Sequence, residues 1–170
     1  MTKCRLCGQV HRITRRQALR LQAATPAKLR RLTSGLTPKQ LTRRPKPRKW
    51  SIQEITLHLH DVELAFAFRY RVILAEPGSH LTPFDGDQWA NLLHYRRQNL
   101  RAAVETFTAL RREHLAMLSR LTNRQWRQWA KHTEFPGYRY RLEPAFVHLA
   151  AHDLGHLERI RTLRRRWLSR

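Results

Sequence analysis

The segment SIQEITLHLHDVELAFAFRYRVIL, residues 51–74, carries the clearest structural pattern in this chain. Its apolar side chains recur at the spacing of one helix face. Ser51, followed three residues later by Glu54, forms a capping box, which marks the start of a helix. The run Glu76-Pro77-Gly78 ends the pattern, because proline cannot continue a helix and glycine favours a turn. The sequence therefore predicts a helix from Ser51 to about Leu74.

Three further segments show helical periodicity on either side of this helix. The first helix is predicted over residues 14–34, with a kink or restart at Thr25-Pro26, the third over 89–121 and the fourth over 144–168. The apolar positions expected in the core from the first and third helices are Leu19, Leu29, Leu32, Leu93, Leu100, Val104, Phe107, Leu110 and Leu118. Four long amphipathic helices predict an all-α, up-and-down four-helix bundle. In that arrangement the second and fourth helices run parallel.

The connections between the helices are read from their prolines and turn residues. The basic, proline-containing segment 43–49 is predicted to be a linker, because proline removes a backbone donor and restrains its neighbour. Trp126 and Trp129 are assigned to a short helix after the third long one. Residues 134–141 are predicted to form a loop or a brief extended stretch.

Length and composition indicate one folded domain with a short N-terminal tail. The chain has 170 residues, 41% of them hydrophobic, and five tryptophans, which excludes global disorder. We divide it into a tail, residues 1–11, and a bundle domain, residues 12–170. Both cysteines, Cys4 and Cys7, lie in the tail, so no disulfide framework holds the domain together. We expect a cytoplasmic protein, because no segment matches a secretory signal or a membrane span.

Helical phase separates the histidines that face the core from those that do not. On the second helix His58 shares the apolar stripe, whereas His60 lies on the far face. On the last helix His152 and His156 lie on the core stripe and His148 lies on its flank. The i, i+4 spacing of the core pair stacks two imidazoles on one face, as a metal site requires. With the two helices parallel, the three inward imidazoles lie at similar heights and could converge.

Buried histidines do not by themselves indicate a metal, because a histidine on an apolar face is usually a core residue with satisfied hydrogen bonds. Three buried imidazoles in one small bundle, however, leave several ring nitrogens in need of partners. This pattern favours one divalent ion bound by His58, His152 and His156. Three neutral nitrogen ligands leave coordination positions open on Zn²⁺, Ni²⁺ or a similar ion, as in catalytic sites.

Two motifs together are similar to a known family. They are Trp50-Ser51-x-x-Glu54-x-x-x-His58-Leu59-x-Asp61-x-Glu63 and, much later, His152-Asp153-x-x-His156-Leu157-x-x-Ile160. With the loop Pro83-Phe84-Asp85 and with Gly137, they resemble the DinB/YfiT-like superfamily of four-helix-bundle metalloproteins over about residues 12–168. The resemblance implies that the histidine of the first motif and both histidines of the second bind a divalent metal.

The resemblance also implies a metal-dependent enzyme with a small-molecule substrate. Some members of the family handle low-molecular-weight thiols and others are called hydrolases. We therefore expect either a transferase that uses a metal-activated thiol or a hydrolase that uses metal-bound water. Asp61, Glu63 and Asp153 lie near the ligands in sequence and could orient an imidazole, although helical phase does not place them clearly inward. We expect His114 to pack in the core and Trp50 to form a hydrophobic staple at the start of the second helix. The sequence leaves open whether the protein forms a homodimer.

The net charge favours a different class of function. Lysine and arginine number 34 against 12 acidic residues, which gives +22. Basic clusters over 43–49 and 161–166 could neutralise phosphates, and Tyr138 and Tyr140 alternate with arginines in a way that could stack bases. The alternative function is therefore nucleic-acid binding without sequence preference, since no motif that reads a sequence accompanies these clusters. A GC-biased genome would explain the arginine excess equally well.

The tail contains half of a zinc motif, Cys4-x-x-Cys7 followed by His11. Closed structural zinc sites use four ligands, and only three lie here. We predict that this segment is not an independent structural zinc site.

Overall fold

The structure, a computed structural model, describes residues 12–169. Within this range the chain forms seven α-helices, three short strands and a 3₁₀ turn at Tyr95–Arg97. The helices are α1 (Arg15–Thr33), α2 (Pro38–Thr42), α3 (Ile52–Ala75), α4 (Gly86–Leu92), α5 (Leu100–Leu118), α6 (Asn123–Trp126) and α7 (Leu142–Leu168). The strands are β1 (His80–Leu81), β2 (Trp129–His132) and β3 (Arg139–Arg141). No described helix is long and apolar enough to cross a membrane. The predictions on Cys4, Cys7 and His11 fall outside the described residues.

The long helices α1, α3, α5 and α7 form a four-helix bundle in which α1 and α7 lie side by side. Near the start of both helices, the Gln22 amide donates to the carbonyl of Phe146 at 2.9 Å. Near their ends, Arg164 donates to the carbonyl of Leu32 at 3.1 Å. The first and last helices of the bundle are therefore parallel.

The helix α3 runs antiparallel to α7. Near its start Ile52 shares an apolar cluster with Ile160, and near its end the Tyr70 ring lies 6.3 Å from that of Phe146. The all-α four-helix bundle predicted from the sequence is confirmed. The parallel orientation of its second and fourth long helices, expected from a simple up-and-down order, is wrong.

The cause of this topology is the connection between α3 and α5. Leu57 and Ala103 share a cluster near the starts of these helices, and Arg71 pairs with Glu113 nearer their ends, so the two helices are parallel. The segment 76–99 must therefore carry the chain back along the whole bundle. It contains β1, α4 and the 3₁₀ turn.

The third predicted helix is divided rather than continuous over 89–121. His94 adopts a left-handed backbone conformation with φ 50°, and the side chain of Asn99 then caps α5 by accepting from the Ala102 amide at 3.1 Å. Asparagine favours such caps, so a new helix begins where the sequence pattern continued the old one. Leu93, expected in the core, is consequently 48% exposed.

A small sheet lies beside the bundle. Strand β1 pairs in parallel with β2, and β2 pairs antiparallel with β3, with Trp129 opposite Arg141. Placing Trp129 in a short helix is therefore wrong, because Ala130 and Tyr140 alternate with more exposed neighbours and bury the inner face of a sheet. The extended stretch expected within 134–141 is β3.

The helix α1 passes through Pro26 without ending. Proline has no amide to donate to the carbonyl of Gln22, four residues earlier. That carbonyl instead accepts from Nη1 of Arg111 on α5 at 3.3 Å. Of the kink or restart predicted at Thr25-Pro26, the restart is wrong, because a tertiary contact satisfies the group that proline leaves free.

Candidate metal centre

The helices α3 and α7 bring together the three histidines that helical phase selected. Nε2 of His152 lies 3.2 Å from Nε2 of His58 and 3.1 Å from Nε2 of His156. One ligand atom from each of the three rings lies within 4.8 Å of the others. Their heights match although the helices are antiparallel, because His58 lies near the start of α3 and the pair lies near the middle of α7.

The spacing of these nitrogens fits ligands of one ion. Zn–N bonds are about 2.0–2.1 Å long, so two nitrogens at a tetrahedral angle are about 3.3 Å apart. The two Nε2–Nε2 distances of 3.1 and 3.2 Å are close to that value. Two neutral imidazoles share only one proton between facing nitrogens, whereas an ion satisfies every lone pair that points inward. The donor set therefore suits a divalent ion better than a network of hydrogen bonds.

Burial keeps the imidazoles in the form that binds metals. Burial, with a smaller contribution from the charge of His152, lowers the pKa of His58 to about 3. Burial likewise lowers the pKa of His156 to about 2, with the same contribution from His152. Metal ligation requires the neutral ring, so no proton competes for these two nitrogens at neutral pH.

Trp50 and Gly86 enclose the triad on one side. The Trp50 ring centroid lies 4.6 Å from that of His58 and 6.2 Å from that of His156, with the second pair stacked. The tryptophan therefore packs on two candidate ligands, beyond the staple that the sequence predicts. A Cβ added at Gly86 would lie 3.0 Å from Cε1 of His58, which is tighter than nine in ten real Cβ contacts. Glycine at this position lets the start of α4 approach the ring.

A second polar cluster lies next to the triad, centred on Arg111. Its guanidinium donates to both oxygens of Glu63, at 2.8 and 2.5 Å, and to Asp153 Oδ2 at 2.7 Å. Nδ1 of His114 lies 2.9 Å from Glu63 Oε1. Burial alone would lower the pKa of Arg111, but the carboxylates of Asp153 and Glu63 outweigh it and raise that pKa. We refer to these four residues, Arg111, Glu63, Asp153 and His114, as the ionic cluster.

The sequence analysis missed Arg111, although a signal was present. Arg111 and His114 continue the core stripe of Phe107 and Leu118 at helical spacing, so an arginine on that stripe had to be buried and paired. The expectation that Glu63 and Asp153 do not clearly face inward is also wrong, since both are buried in the cluster.

The three candidate orienting carboxylates have different neighbours. Only Asp153 faces a triad ring, with Oδ1 3.9 Å from Nδ1 of His152. Asp61 is buried and accepts hydrogen bonds from the Tyr95 hydroxyl and from His60, whose Nδ1 lies 2.9 Å away. Burial and this contact with Asp61 raise the pKa of Tyr95. His60 is accordingly held at the bundle surface and away from the triad.

A cavity of about 190 Å³ adjoins the triad. Two of the candidate ligands, His58 and His152, form part of its wall. The remaining wall comes from α3, the loop before α4, the strands β2 and β3 and the loop between them, and the start of α7. His148 also lines this cavity, with its ring 6.2 Å from that of His152. Helical phase placed His148 on the flank of the core stripe of the last helix, and that flank faces the cavity.

The features proposed for nucleic-acid binding are partly engaged elsewhere. Tyr140 is buried and stacks on His132 at 5.3 Å, so it cannot stack on a base. Arg164 donates to backbone carbonyls of α1, and Arg43 lies over the Trp167 ring. Nucleic-acid binding, a homodimer and a cytoplasmic location stay predictions.

The fold and the site together define a class of protein. A family model of the DinB superfamily matches residues 22–160, and this chain belongs to that superfamily. The DinB/YfiT-like resemblance seen in the two sequence motifs is therefore confirmed.

Two individual relatives are similar to this chain over most of its length. A Halalkalibacterium halodurans protein, BH0277, is 24% identical over 135 residues, which cover 79% of this chain and 77% of the relative. YfiT of Bacillus subtilis is 24% identical over 141 residues, which cover 83% of this chain and 79% of the relative. Both are provisionally named metal-dependent hydrolases. The solved structure of YfiT, described as having an unusual four-helix bundle topology, superposes with a TM-score of 0.83 at 22% identity over 90% of this chain and 87% of that one.

Proposed function

We propose that this protein is a metal-dependent hydrolase in which His58, His152 and His156 hold one divalent ion, Zn²⁺ or Ni²⁺. The observation that carries the proposal is the convergence of three Nε2 atoms at the wall of a cavity. The provisional names of the two relatives support hydrolysis as the reaction class. A cavity of about 190 Å³ suits a small-molecule substrate.

Different residues around the site would have different roles in the reaction. When bound, the ion supplies Lewis acidity, which lowers the pKa of a water or thiol ligand. Trp50 covers the rings of His58 and His156, whereas His58, His152 and Gly86 face the cavity. His132 lines the cavity, and burial together with the charge of Arg69 lowers its pKa, so a neutral imidazole stands ready to accept a proton. The His132 ring stacks on Tyr140 at 5.3 Å, which holds its orientation, and its Nδ1 atom lies 3.8 Å from Glu134 Oε2, beyond hydrogen-bond distance.

The metal content of the protein tests the ligand set. Protein purified without a histidine tag should contain close to one divalent ion per chain. His58→Ala, His152→Ala and His156→Ala should each lose most of it, because two remaining ligands hold zinc far more weakly than three. The variant His60→Ala is the matched control, since His60 lies two residues from a ligand on the same helix but bonds to Asp61. A wild-type protein without bound metal, or ligand variants that retain it, would contradict the proposal.

A thiol-dependent transferase would use the same three ligands, and a paired assay separates the two reactions. The hydrolase should cleave p-nitrophenyl acetate in the absence of any thiol. A transferase should instead act only when cysteine and an electrophile such as monochlorobimane are both present. Loss of either activity in His152→Ala, with His60→Ala active, assigns the reaction to the triad.

A further inference from the structure

A single arginine lies in the wall of the cavity without a counter-ion. Arg69 is 8% exposed, and no Asp or Glu among residues 12–169 pairs with it. A buried charge is costly unless it is paired, so this guanidinium is set up to receive a negative group. Arg111 shows the usual solution, because it is 1% exposed and holds two carboxylates.

The contacts of Arg69 fix its position without neutralising it. Nη2 donates to the carbonyl of Thr82 at 2.8 Å. The guanidinium carbon lies 5.5 Å from the Phe66 ring centroid and 5.6 Å from that of Phe84. A guanidinium has five N–H donors, and the described residues satisfy few of them here. The two rings therefore hold the guanidinium in place while several of its N–H donors stay available for a ligand.

Arg69 and the histidine triad lie along one face of α3. Eleven residues separate Arg69 from His58, which is a rotation of about 20° and a rise of about 16 Å. Helical side chains lean toward the N-terminus of their helix, which brings the guanidinium nearer to the triad. Val62 and Phe66 lie between them and also line the cavity. The triad and the guanidinium thus mark two ends of one cavity, with the apolar side chains of Val62 and Phe66 between them.

The charge of the cavity favours an anion at the arginine end. His132 contributes no positive charge at neutral pH, because burial lowers its pKa. Glu134 lines the cavity but its side chain is 57% exposed, and its carboxylate faces His132 rather than Arg69. The guanidinium is therefore left without a neutralising partner.

We propose that Arg69 binds an anionic group of the substrate, a carboxylate or a phosphate, while the bond to be cleaved lies at the histidine end of the cavity. Anion binding by Arg69 does not depend on the proposed function; only the position of the bond to be cleaved rests on it. It narrows the substrate class to small molecules that carry an anionic group separated from the reacting bond by an apolar portion, which Val62 and Phe66 contact.

Anion binding to metal-free protein tests the proposal without any turnover. Propionate and inorganic phosphate are titrated into EDTA-treated protein and followed by NMR chemical shifts. Arg69→Gln should bind the preferred anion about tenfold or more weakly than wild type, because charge-assisted hydrogen bonds are lost. Arg71→Gln is the matched control, since it removes the same charge from an exposed arginine two residues away that pairs with Glu113. The anion that binds more tightly identifies the substrate group as a carboxylate or a phosphate.

Two results would overturn the proposal. One is equal binding to Arg69→Gln and Arg71→Gln, which would assign the anions to the general positive charge of the surface. The other is the absence of saturable binding to wild type. If thermal unfolding shows that Arg69→Gln is not folded, Arg69→Lys is used in its place. Arg69→Lys keeps the positive charge but loses the paired N–H donors of the guanidinium, so it should bind the anion more weakly than wild type. The zinc content of Arg69→Gln should equal that of wild type, so a failure of the metal site appears separately from a failure of the anion site.

Discussion

The histidine triad and the ionic cluster are neighbouring buried sites with opposite chemistry. In the ionic cluster a guanidinium meets two carboxylates at hydrogen-bond distances of 2.5–2.8 Å. In the triad three nitrogens face one another, and among the described residues the one carboxylate within 4.0 Å of a triad ring is Asp153, 3.9 Å from His152. The first site contains its own counter-charges. The second contains three candidate ligands and, in the described part of the chain, no counter-charge of its own, and the proposed divalent ion would complete it.

This difference separates a structural role from a functional one. A buried ion pair with its partners in place holds the helices in register, and Arg111 contacts α1, α3 and α7 from α5. A cluster of neutral imidazoles contributes little cohesion of its own. Perturbing the ionic cluster should therefore reduce stability, and perturbing the triad should mainly reduce metal binding.

The largest effect is expected from Arg111→Met. The substitution leaves Glu63 and Asp153 buried without a cation and frees the carbonyl of Gln22 that Pro26 leaves unpaired. Breaking a buried pair in this way reduces the free energy of unfolding by about 3–5 kcal/mol. Urea unfolding measures the loss, with the exposed neighbour in Arg112→Met as the control. A loss of less than about 1 kcal/mol in Arg111→Met would contradict a structural role for the cluster.

The second effect is the pH dependence of the metal-free protein. His58 and His156 have folded pKa values of about 3 and 2, whereas the unfolded chain takes up these protons near pH 6.5. The free energy of unfolding should therefore fall as pH drops below about 6.5, by about 1.4 kcal/mol per pH unit for each histidine. Urea unfolding between pH 6.5 and 5 measures the slope of the free energy of unfolding against pH. That slope should be about 1.4 kcal/mol per pH unit shallower in His58→Ala than in wild type. An unchanged slope would refute the burial of a neutral His58.

The third effect tests the closeness of α4 to the triad. In Gly86→Ala the new Cβ would lie 3.0 Å from the His58 ring, so the ring or the helix must shift. We expect zinc affinity to fall about tenfold, the smaller end of the range for residues that support a ligand. Gly155→Ala is the control, because it adds a methyl group beside His156 with no atom within 4 Å. That variant should bind zinc normally and gain about 0.5–1 kcal/mol of stability, since alanine favours the helix. Equal zinc affinities in the two variants would contradict the close approach.

The smallest effects are expected at the two excluded histidines. His60→Ala and His148→Ala should each retain full metal content. His148→Ala should change stability by about 0.5 kcal/mol or less, and His60→Ala should cost about 1 kcal/mol, because it removes a hydrogen bond to the buried Asp61. Metal analysis and thermal unfolding of both variants check this. Loss of metal in His148→Ala would contradict this prediction and would identify His148 as a fourth ligand, from the cavity wall.

Local signals in the sequence predicted most of the bundle and the three histidines that converge in it. The capping box of Ser51 and Glu54 marks the true start of α3. Helical phase selected His58, His152 and His156 because each position depends only on its own helix. These predictions succeed because caps and periodicity are properties of a few neighbouring residues.

The features that the sequence analysis missed depend on contacts between distant segments. The parallel run of α3 and α5 follows from the path of residues 76–99, which no local pattern encodes. The continuity of α1 at Pro26 depends on Arg111, far along the chain. The ionic cluster required three helices to be placed at once, so the inward position of Glu63 could not be read from α3 alone.

The pairing of α1 with α7 has a consequence for folding kinetics. Bundles built from helical hairpins fold fast, because most contacts join segments that are close in sequence. Here the first and last described helices must meet, and closing so long a loop is entropically costly before any contact forms. We expect refolding to be slower than for a hairpin bundle of the same size, with the docking of α7 as the late event. The triad, whose members come from α3 and α7, is then completed only at that step.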